Sequence, residues 1–471
     1  MPSNDEILAQ LASLRSADAP THGGRVLSYV YDSGLAELDE LAAAAMRLVQ
    51  PVNGLDPTTF TSVAVMEREV VSFARDLLGG DPDVVGSVTT GGTESCLLAV
   101  KTARDTWSGP GTPRLLAPVT VHAAFHKAAH YFGLELDLVP VDASGAVSAS
   151  ALIERMSPDV ALVVVSAPSY PHAALDPVAL VAAAALDRGI PCHVDACIGG
   201  WVLPFWSETE PWDLSVPGVT SLSADLHKFG YAPKGVSVLL QRGRDRQRSQ
   251  YFATTRWPGY PVVNPTMLGS KSAGPLAAAW AIVQSLGREG LASLAESCER
   301  STASLVSLVG SIEGLRVVGN PVGPLLAVAA DLSLPAERQV DPHHWADQAR
   351  GLGWVLQLQP GMTQGDGTIL PRTTHLTITP VTEGVLPALS AALVQAADDV
   401  RGVAPAEAPP LPALAGSLDS ETAFALLQGL GIGAGGGLPE RMAPLLALME
   451  SLPAPVAERL LVELLARVVE P

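Results

Sequence analysis

Positive charge is scarce in this chain. Lysine and arginine number 29 against 48 aspartates and glutamates, which gives a formal net charge of −19 at pH 7. An acidic balance of this size disfavours binding to nucleic acids and attraction to anionic membranes. Any anionic ligand must therefore be held locally, by a few well-placed donors.

Cysteine and long apolar runs are also scarce. The four cysteines are Cys96, Cys192, Cys197 and Cys298, and no two of them have the CxxC spacing of a zinc site or a redox motif. Such cysteine usage fits a reducing compartment. No apolar run approaches the length of a membrane span, and the residues after Met1 lack the basic and apolar regions of a signal peptide. We therefore expect a cytoplasmic protein with no membrane insertion.

Apolar residues are abundant. They make up 48% of the 471 residues, whereas charged residues make up 16%. This composition is globular, and the length predicts two or three domains. The patterns predict a helical segment over 1–70, a large domain over 71–286 and a small α+β domain over 287–402. A Pro-rich linker and a helical tail are expected over 403–471.

The central part of the chain alternates between strand and helix patterns. The apolar strand candidates are Leu115–Val121, Leu136–Val141, Val160–Ser166 and Ile190–Asp195. Their alternation with helices predicts an α/β fold, in which a parallel or mixed sheet is covered by helices on both faces. Ligands on such sheets bind beyond the carboxyl ends of the strands. His122 and Asp195 both fall at predicted strand ends, so they are candidates for one pocket.

A lysine directly after a histidine marks the segment Ser221–Gly235, which is rich in glycine and proline towards its end. The strand-like run Val236–Leu240 then returns the chain to a core. Burial of an amine disfavours the ammonium and favours the neutral, nucleophilic form. We therefore predict that Lys228 forms a Schiff base with a carbonyl compound, the alternative being an ordinary surface lysine.

A glycine pair opens a predicted helix within Gly86–Ser95. The first N–H groups of a helix are unpaired and its dipole is positive there, so both favour a phosphate. Glycine also lets the backbone approach such a ligand closely. Gly92 and Thr93 are therefore candidate phosphate-binding residues, unless Thr93 simply caps the helix.

The order of these motifs resembles a known family. The stretches that carry the resemblance are Thr90–Ser95, Val121–Phe125, Ser166–His172, His193–Gly200, Ser223–Gly235 and Met267–Gly274. They resemble fold-type-I (aspartate aminotransferase-like) pyridoxal-phosphate enzymes of the group II decarboxylase superfamily, and within it the sphingosine-1-phosphate lyases. Lys234 and the run Cys197–Gly200 point to the lyase branch. The fold implied has a large mixed-sheet domain, a small α+β domain and, here, a helical tail.

The resemblance implies pyridoxal 5′-phosphate as the cofactor. Lys228 would carry it as a Schiff base, and Asp195 would keep the pyridine nitrogen protonated so that the ring accepts electrons. His122 would cover the ring.

The phosphate would be held by Gly92 and Thr93, with His227 nearby. In the family, a serine from a second subunit completes this phosphate site, and the matching residue is Ser270. The resemblance therefore implies a homodimer with shared active sites.

The lyase branch implies retro-aldol cleavage of a phosphorylated or related amino alcohol into an aldehyde and a smaller amine. Such cleavage needs a base that takes the proton of the substrate hydroxyl, and Tyr170 and Lys234 match residues in that role. Tyr31, Asn53 and Asp56 match substrate-contacting positions.

Two departures from the lyase pattern leave the substrate open. Asp56 stands where the family has histidine, and a carboxylate repels a phosphate. Lys271 stands where the family has arginine. A planar guanidinium, which can bind an anion through two hydrogen bonds, is thus replaced by an ammonium, which acts as a point charge. The alternatives are an amino-acid decarboxylase and, disfavoured by the presence of Lys228 and Asp195, a non-catalytic binding protein.

Ordinary roles are expected for some other conspicuous residues. His122, His126 and His130 have helical spacing, but no carboxylate or cysteine completes a metal site with them. Cys197 is expected to be a packed small hydrophobic residue, and His375 to be structural.

Overall fold

A seven-stranded sheet forms the centre of the protein. The computed structural model describes residues 1–408, 418–429 and 441–470. The strands of the sheet are β1 (Val84–Thr89), β2 (Arg114–Pro118), β3 (Glu135–Val139), β4 (Val160–Ser166), β5 (Cys192–Asp195), β6 (Val219–Ala224) and β7 (Ser237–Arg242). Their spatial order is β1-β7-β6-β5-β4-β2-β3, and β7 is antiparallel to both of its neighbours while the remaining pairs are parallel. This mixed sheet is the one expected from the sequence.

Helices cover both faces of the sheet. The helices up to β7 are α1 (Asn4–Arg15), α2 (Ala36–Leu48), α3 (Thr61–Leu77), α4 (Gly92–Thr106), α5 (Ala123–Phe132), α6 (Ala149–Glu154) and α7 (Val178–Asp187). On β4, Leu162 and Val164 pack with α4 and α5, whereas Val163 and Val165 pack in the cluster that contains α3 and α7. Because both faces are buried, the strand is apolar throughout and does not alternate with polar residues.

A small helix and a hairpin lie between the large sheet and the rest of the chain. They are α8 (Arg244–Ser249), β8 (Phe252–Thr254) and β9 (Val262–Asn264). The long helix α9 (Gly274–Ser311) follows, and its one non-helical residue is Gly287, at φ 55°. Glycine adopts this left-handed region without the clash that a side chain would add. The axis therefore changes direction at Gly287. Beyond it, Leu291 and Cys298 still pack in the apolar cluster of the large sheet, and α9 joins the cluster of the next layer from Leu305.

A second, four-stranded antiparallel sheet forms the small layer. Its elements and those that follow are β10 (Leu315–Val317), β11 (Leu325–Ala330), α10 (Pro342–Gly351), β12 (Gln357–Gln359), β13 (Met362–Thr363), β14 (Ile369–Leu370), β15 (Thr373–Thr377) and α11 (Val381–Val400). The sheet order is β10-β11-β15-β12, while β13 and β14 form a separate hairpin. Trp345 and Trp354 are buried in the apolar cluster of this layer.

The described part of the tail contains three helices. They are α12 (Ser420–Gly429), α13 (Ala443–Ser451) and α14 (Ala454–Val469). Asp347 of α10 accepts hydrogen bonds from the backbone N–H groups of Met442 and Ala443, so it caps the start of α13. In the described part of the tail, α13 thus packs on the main body, whereas α12 and α14 pack on each other.

Some sequence-based boundaries differ from the structure. The predicted strands Leu115–Val121 and Leu136–Val141 end earlier, at Pro118 and Val139. The segment Ser221–Gly235 begins inside β6, whose serines are buried. Within the predicted linker and tail, residues 409–417, 430–440 and 471 lie outside the described part of the chain.

No helix in the described part of the chain is both long enough and apolar enough to cross a lipid bilayer.

Candidate active site

The carboxyl ends of five strands meet at one cavity of about 1120 Å³. Behind these strand ends lie Gly92 after β1, His122 after β2, Tyr170 after β4, Asp195 at the end of β5 and Lys228 after β6. This is the edge at which open α/β sheets bind ligands. The two residues on which the predicted chemistry depends, Lys228 and Asp195, therefore share a single pocket.

Lys228 is paired with a carboxylate that the sequence analysis did not single out. Its Nζ lies 3.0 Å from Oδ2 of Asp225, and Asp225 is 1% exposed. Burial alone would lower the pKa of Lys228, but Asp225 holds it well above its ordinary value. The expectation that burial makes this amine neutral is therefore wrong for the free lysine: it is an ammonium until something displaces Asp225.

Asp225 also contacts the neighbouring histidine. Nε2 of His227 lies 3.5 Å from the same Oδ2 atom, and His227 Nδ1 accepts a hydrogen bond from the N–H of Val236 at 3.3 Å. Burial would raise the pKa of Asp225, but the Lys228 ammonium keeps it below its usual value. The three-residue spacing between Asp225 and Lys228 is visible in the sequence, whereas the burial that makes their pairing strong is not.

The glycine pair forms a close-fitting turn at the start of α4. Gly91 has φ 146°, and a Cβ on it would lie 3.0 Å from the ring of His227. A Cβ on Gly92 would lie 2.5 Å from a carboxylate oxygen of Asp225. No side chain caps this helix, so Thr93 is not the N-cap residue. The turn therefore presents backbone N–H groups and Thr93 to the cavity.

Glu94 ties this turn to a distant segment. One of its carboxylate oxygens accepts hydrogen bonds from N and Oγ1 of Thr90, at 2.7 and 2.8 Å. The other accepts from the N–H of Met267 at 2.7 Å. Lys271 is buried and donates to the carbonyl oxygen of Val88 on β1 at 2.9 Å. Lys271 is therefore committed to its own chain and does not present its charge to solvent.

His122 and Asp195 are each held by backbone groups. Nδ1 of His122 accepts a hydrogen bond from the N–H of Ala124 at 3.2 Å, which orients the ring at the start of α5. Burial lowers the pKa of His122, so the ring is neutral at pH 7. Oδ1 of Asp195 accepts from the N–H of Cys197 at 3.1 Å, which leaves its other oxygen for a ligand.

Tyr31, Tyr170 and Lys234 form another wall of the cavity. Nζ of Lys234 lies 4.5 Å from the centroid of the Tyr31 ring and donates to the carbonyl oxygens of Tyr29 and His227, at 3.2 and 3.3 Å. Burial, together with the charge of Lys228, lowers the pKa of Lys234 to about 8.

Tyr170 is fixed by a histidine from the small layer. Its ring stacks on His375, with centroids 4.2 Å apart, and burial lowers the pKa of His375 to about 3. His375 is therefore neutral and supports Tyr170 by packing, which agrees with the structural role expected for it.

Asn53, Asp56 and Ser270 do not line the cavity of their own chain. Oδ1 of Asn53 instead accepts from the N–H of Lys271 at 3.2 Å, and the N–H of Gly54 donates to the carbonyl oxygen of Lys271 at 2.6 Å. Asp56 is bonded to Thr58 and Thr59, and the bond from Thr58 lowers its pKa to about 2. These three predicted residues thus lie together outside the cavity, where the loop at 53–56 meets the loop at 270–271; these two loops are called the loop pair below.

Sequence comparison identifies the chain's relatives. A family model described as the pyridoxal-dependent decarboxylase conserved domain matches residues 52–326, and a second model, for a C-terminal HTH-type domain of pyridoxal-dependent enzymes, matches residues 385–467. The sphingosine-1-phosphate lyase of Dictyostelium discoideum is 35% identical over 334 residues, which are 70% of this chain and 63% of the relative. Sphingosine-1-phosphate lyase 1 of Rattus norvegicus is 36% identical over 336 residues, 70% of this chain and 59% of the relative. The chain thus spans about three fifths of the length of these relatives.

Solved structures show the same fold. A sphingosine-1-phosphate lyase of Burkholderia pseudomallei superposes with a TM-score of 0.78 at 32% identity, over 85% of this chain and 92% of that one. A glutamate decarboxylase of Lactobacillus brevis superposes with a TM-score of 0.74 at 17% identity, over 86% of this chain and 94% of that one. The class is that of fold-type-I pyridoxal-phosphate enzymes. This chain belongs to the pyridoxal-dependent decarboxylase family, and its cofactor is pyridoxal 5′-phosphate.

The residues present fit that cofactor. Thr120 Oγ1 and Asp225 Oδ1 are buried beside the cavity and have no hydrogen-bond partner among the described residues. Buried polar atoms are normally satisfied, so unpaired ones lining a cavity point to a polar ligand. The uncapped start of α4 adds N–H donors for a phosphate. Lys228 would then anchor the aldehyde of the cofactor, and Asp195 would keep its ring nitrogen protonated.

Replacing Asp225 with asparagine tests the pairing of Lys228. Without the carboxylate, burial is no longer opposed, so the pKa of Lys228 falls. Covalent capture of pyridoxal phosphate at Lys228, trapped with borohydride and quantified by mass spectrometry, should then begin at correspondingly lower pH. Asp105→Asn removes the partner of Lys101 on the outer face of α4 and should leave the profile unchanged. An unaltered profile in Asp225→Asn would contradict the pairing.

Proposed function

We propose that the protein is an aldehyde-lyase of the sphingosine-1-phosphate lyase type. It splits a phosphorylated or related amino alcohol by retro-aldol cleavage into an aldehyde and a smaller amine. The observation that carries the proposal is that Tyr170 and Lys234 line the same cavity as Lys228, with the pKa of Lys234 lowered to about 8. The similarity to several sphingosine-1-phosphate lyases, at 35–36% identity, supports it.

The chain's own residues supply binding, orientation and proton transfer. Pyridoxal phosphate supplies, when bound, an aldehyde that condenses with amines and a ring that accepts electron density. Asp195 holds a proton at the ring nitrogen. Lys234 or Tyr170 takes the proton from the substrate hydroxyl oxygen as the neighbouring carbon–carbon bond breaks. Tyr31 packs edge-on against Phe229 at 5.3 Å and closes this side of the cavity.

Amino-acid decarboxylation is the second candidate. The name of the family model favours it, and decarboxylases begin from the same arrangement of Lys228 and Asp195. A decarboxylase must, however, hold the substrate carboxylate, for which arginine is the usual bidentate partner. Among the described residues that line the cavity there is no arginine, which favours the lyase.

A homodimer with shared active sites accounts for the loop pair outside the cavity. Asn53, Asp56 and Ser270 lie on this loop pair and match positions that the lyase resemblance assigns to the substrate or to the phosphate. In a dimer the pair would reach the cavity of the other subunit, where Ser270 would complete the phosphate site. Asp56 would then filter substrates by charge.

The domain division and the compartment are part of the same proposal. The break of α9 at Gly287 and the presence of two separate apolar clusters support a division into a large domain of 71–286 and a small domain of 287–402, although the first cluster continues along α9 as far as Cys298. The segment 1–70 and the tail 403–471 would be additions to these two. All four cysteines are free, which supports a reducing compartment such as the cytoplasm.

Product analysis separates the two candidate reactions. With a phosphorylated long-chain amino alcohol, the protein saturated with pyridoxal phosphate should release aldehyde and a smaller phosphorylated amine in equal amounts. Lys228→Ala should reduce the rate by at least about 10³-fold, because the residue acts on the reacting atoms. Lys101→Ala, on a lysine outside the cavity, is the control. Carbon dioxide release from amino acids without any aldehyde would replace the lyase with the decarboxylase.

Asp56→His, assayed beside the wild type, then tests the substrate filter. If Asp56 repels the phosphate, the variant cleaves the phosphorylated amino alcohol faster, and the wild type prefers an amino alcohol without that phosphate. Equal rates in the two proteins would mean that Asp56 does not select the substrate.

The pH profile tests Lys234 as a base. A lysine must be neutral to accept a proton, so with a pKa of about 8 the rate should rise with pH and level off above about 8. Lys234→Met should abolish this rise of the rate with pH and lower kcat by about 10²–10⁴-fold. Lys234→Arg should be slow at every pH, since arginine stays charged. If Lys234→Met keeps the rise of the rate with pH, that rise reports the titration of another group.

Hybrid dimers test the shared site. Lys228→Ala removes the amine, and Ser270→Asp places a negative charge where a phosphate is to be held. Each variant alone should be inactive, but a hybrid dimer contains one site with both wild-type residues. Random mixing should therefore restore about one quarter of the wild-type activity. Hybrid dimers seen by native mass spectrometry but without activity would argue against sharing.

A further inference from the structure

Two thiols and a carboxylate meet at the floor of the cofactor cavity. Cys96 lies in the first turns of α4, Cys197 in the turn after β5, and Asp195 at the end of β5. Their two sulfur atoms and one carboxylate oxygen all lie within 4.8 Å of one another. The three residues are 1%, 6% and 8% exposed, and each contributes to the cavity lining.

This cluster is held in place by its surroundings. The N–H of Cys197 donates to Asp195 at 3.1 Å, and its thiol donates to Oγ of Ser223 at 3.3 Å. On the other side, a Cβ on Gly92 would lie 2.8 Å from the sulfur of Cys197, so the turn before α4 leaves that sulfur little room to move. The ends of β5 and β6 thus position Cys197 and Asp195 without any ligand, and Cys96 lies next to them from α4.

The ligand set fits a thiophilic divalent cation. Thiolates select zinc and similar soft cations, and a carboxylate oxygen often completes such a site. A zinc–sulfur bond of about 2.3 Å in tetrahedral geometry places two sulfur atoms about 3.8 Å apart. The sulfur atoms, at most 4.8 Å apart, need to close by no more than about 1 Å to reach that value. Because all three residues line the cavity, water can reach a cation bound by them as a fourth ligand.

We propose that Cys96, Cys197 and Asp195 form an inhibitory binding site for a thiophilic divalent cation such as Zn²⁺ or Cd²⁺. Binding releases the two thiol protons to solvent as the metal–sulfur bonds form. The cation uses Asp195, the carboxylate that the cofactor requires, so cation and cofactor compete. This site is separate from the question of which bond the enzyme cleaves, and it does not depend on the proposed lyase activity.

Cadmium titration of the full chain tests the site directly. Protein freed of pyridoxal phosphate should bind one Cd²⁺ per chain and develop an ultraviolet thiolate-to-cadmium charge-transfer band. Cys96→Ala and Cys197→Ala should each weaken binding at least tenfold and diminish the band. Cys192→Ala is the matched control, because Cys192 precedes Asp195 on the same strand but points into the apolar core. It should bind Cd²⁺ as the wild type does.

A second titration tests the competition. Protein saturated with pyridoxal phosphate and then freed of unbound cofactor should bind Cd²⁺ at least tenfold more weakly. Circular dichroism and the unfolding temperature establish that each variant is folded. If an alanine variant does not fold, Cys96→Ser or Cys197→Ser replaces it in the titration. The proposal is overturned if wild-type protein gives no band, if both cysteine variants keep it, or if saturation with cofactor leaves the affinity unchanged.

Discussion

The buried ion pair between Lys228 and Asp225 is the interaction on which the site depends. Both groups leave water, so each is stable as an ion only because the other is 3.0 Å away. The pair keeps the amine charged and in one place at the end of β6 until a ligand takes over. His227 and the turn at Gly91 pack around it. Removing one partner would leave an uncompensated charge away from bulk water, which is costlier than losing an exposed pair.

The sheet explains why residues from five separate segments meet. Parallel strands place their carboxyl ends on one edge, so a residue that follows any of them faces the same space. The reversed strand β7 closes the sheet between β6 and β1 and brings the turn after β1 next to the turn that carries Lys228. As a consequence, the predicted phosphate-binding turn and the predicted anchoring lysine are neighbours, although more than a hundred residues separate them in the chain.

Local sequence patterns were sufficient to predict where many of the site residues lie in the fold. Gly92, His122, Asp195 and Lys228 each stand beside an apolar strand or a glycine turn, so their positions follow from periodicity and from strand ends. Asp225 was missed, because its importance comes from burial and from its distance to one amine, neither of which a sequence displays. The hydrogen bond of Lys271 could not be predicted either. In the sequence this residue looks like a surface cation, but its ammonium donates to a backbone carbonyl oxygen of β1. The roles assigned to Asn53, Asp56 and Ser270 remain predictions, since they require a second chain.

Glu94 has a consequence for communication between subunits. It joins the turn at Thr90 to the segment at Met267, and Lys271 fastens the loop that follows to β1. In the proposed dimer that loop enters the neighbouring cavity, so an ordering of the glycine turn in one subunit is passed to the wall of the other. Linkage makes such coupling reciprocal. The two halves of the dimer would then fill with cofactor cooperatively, and a dimer holding a single cofactor would be rarer at half saturation than two independent sites would give.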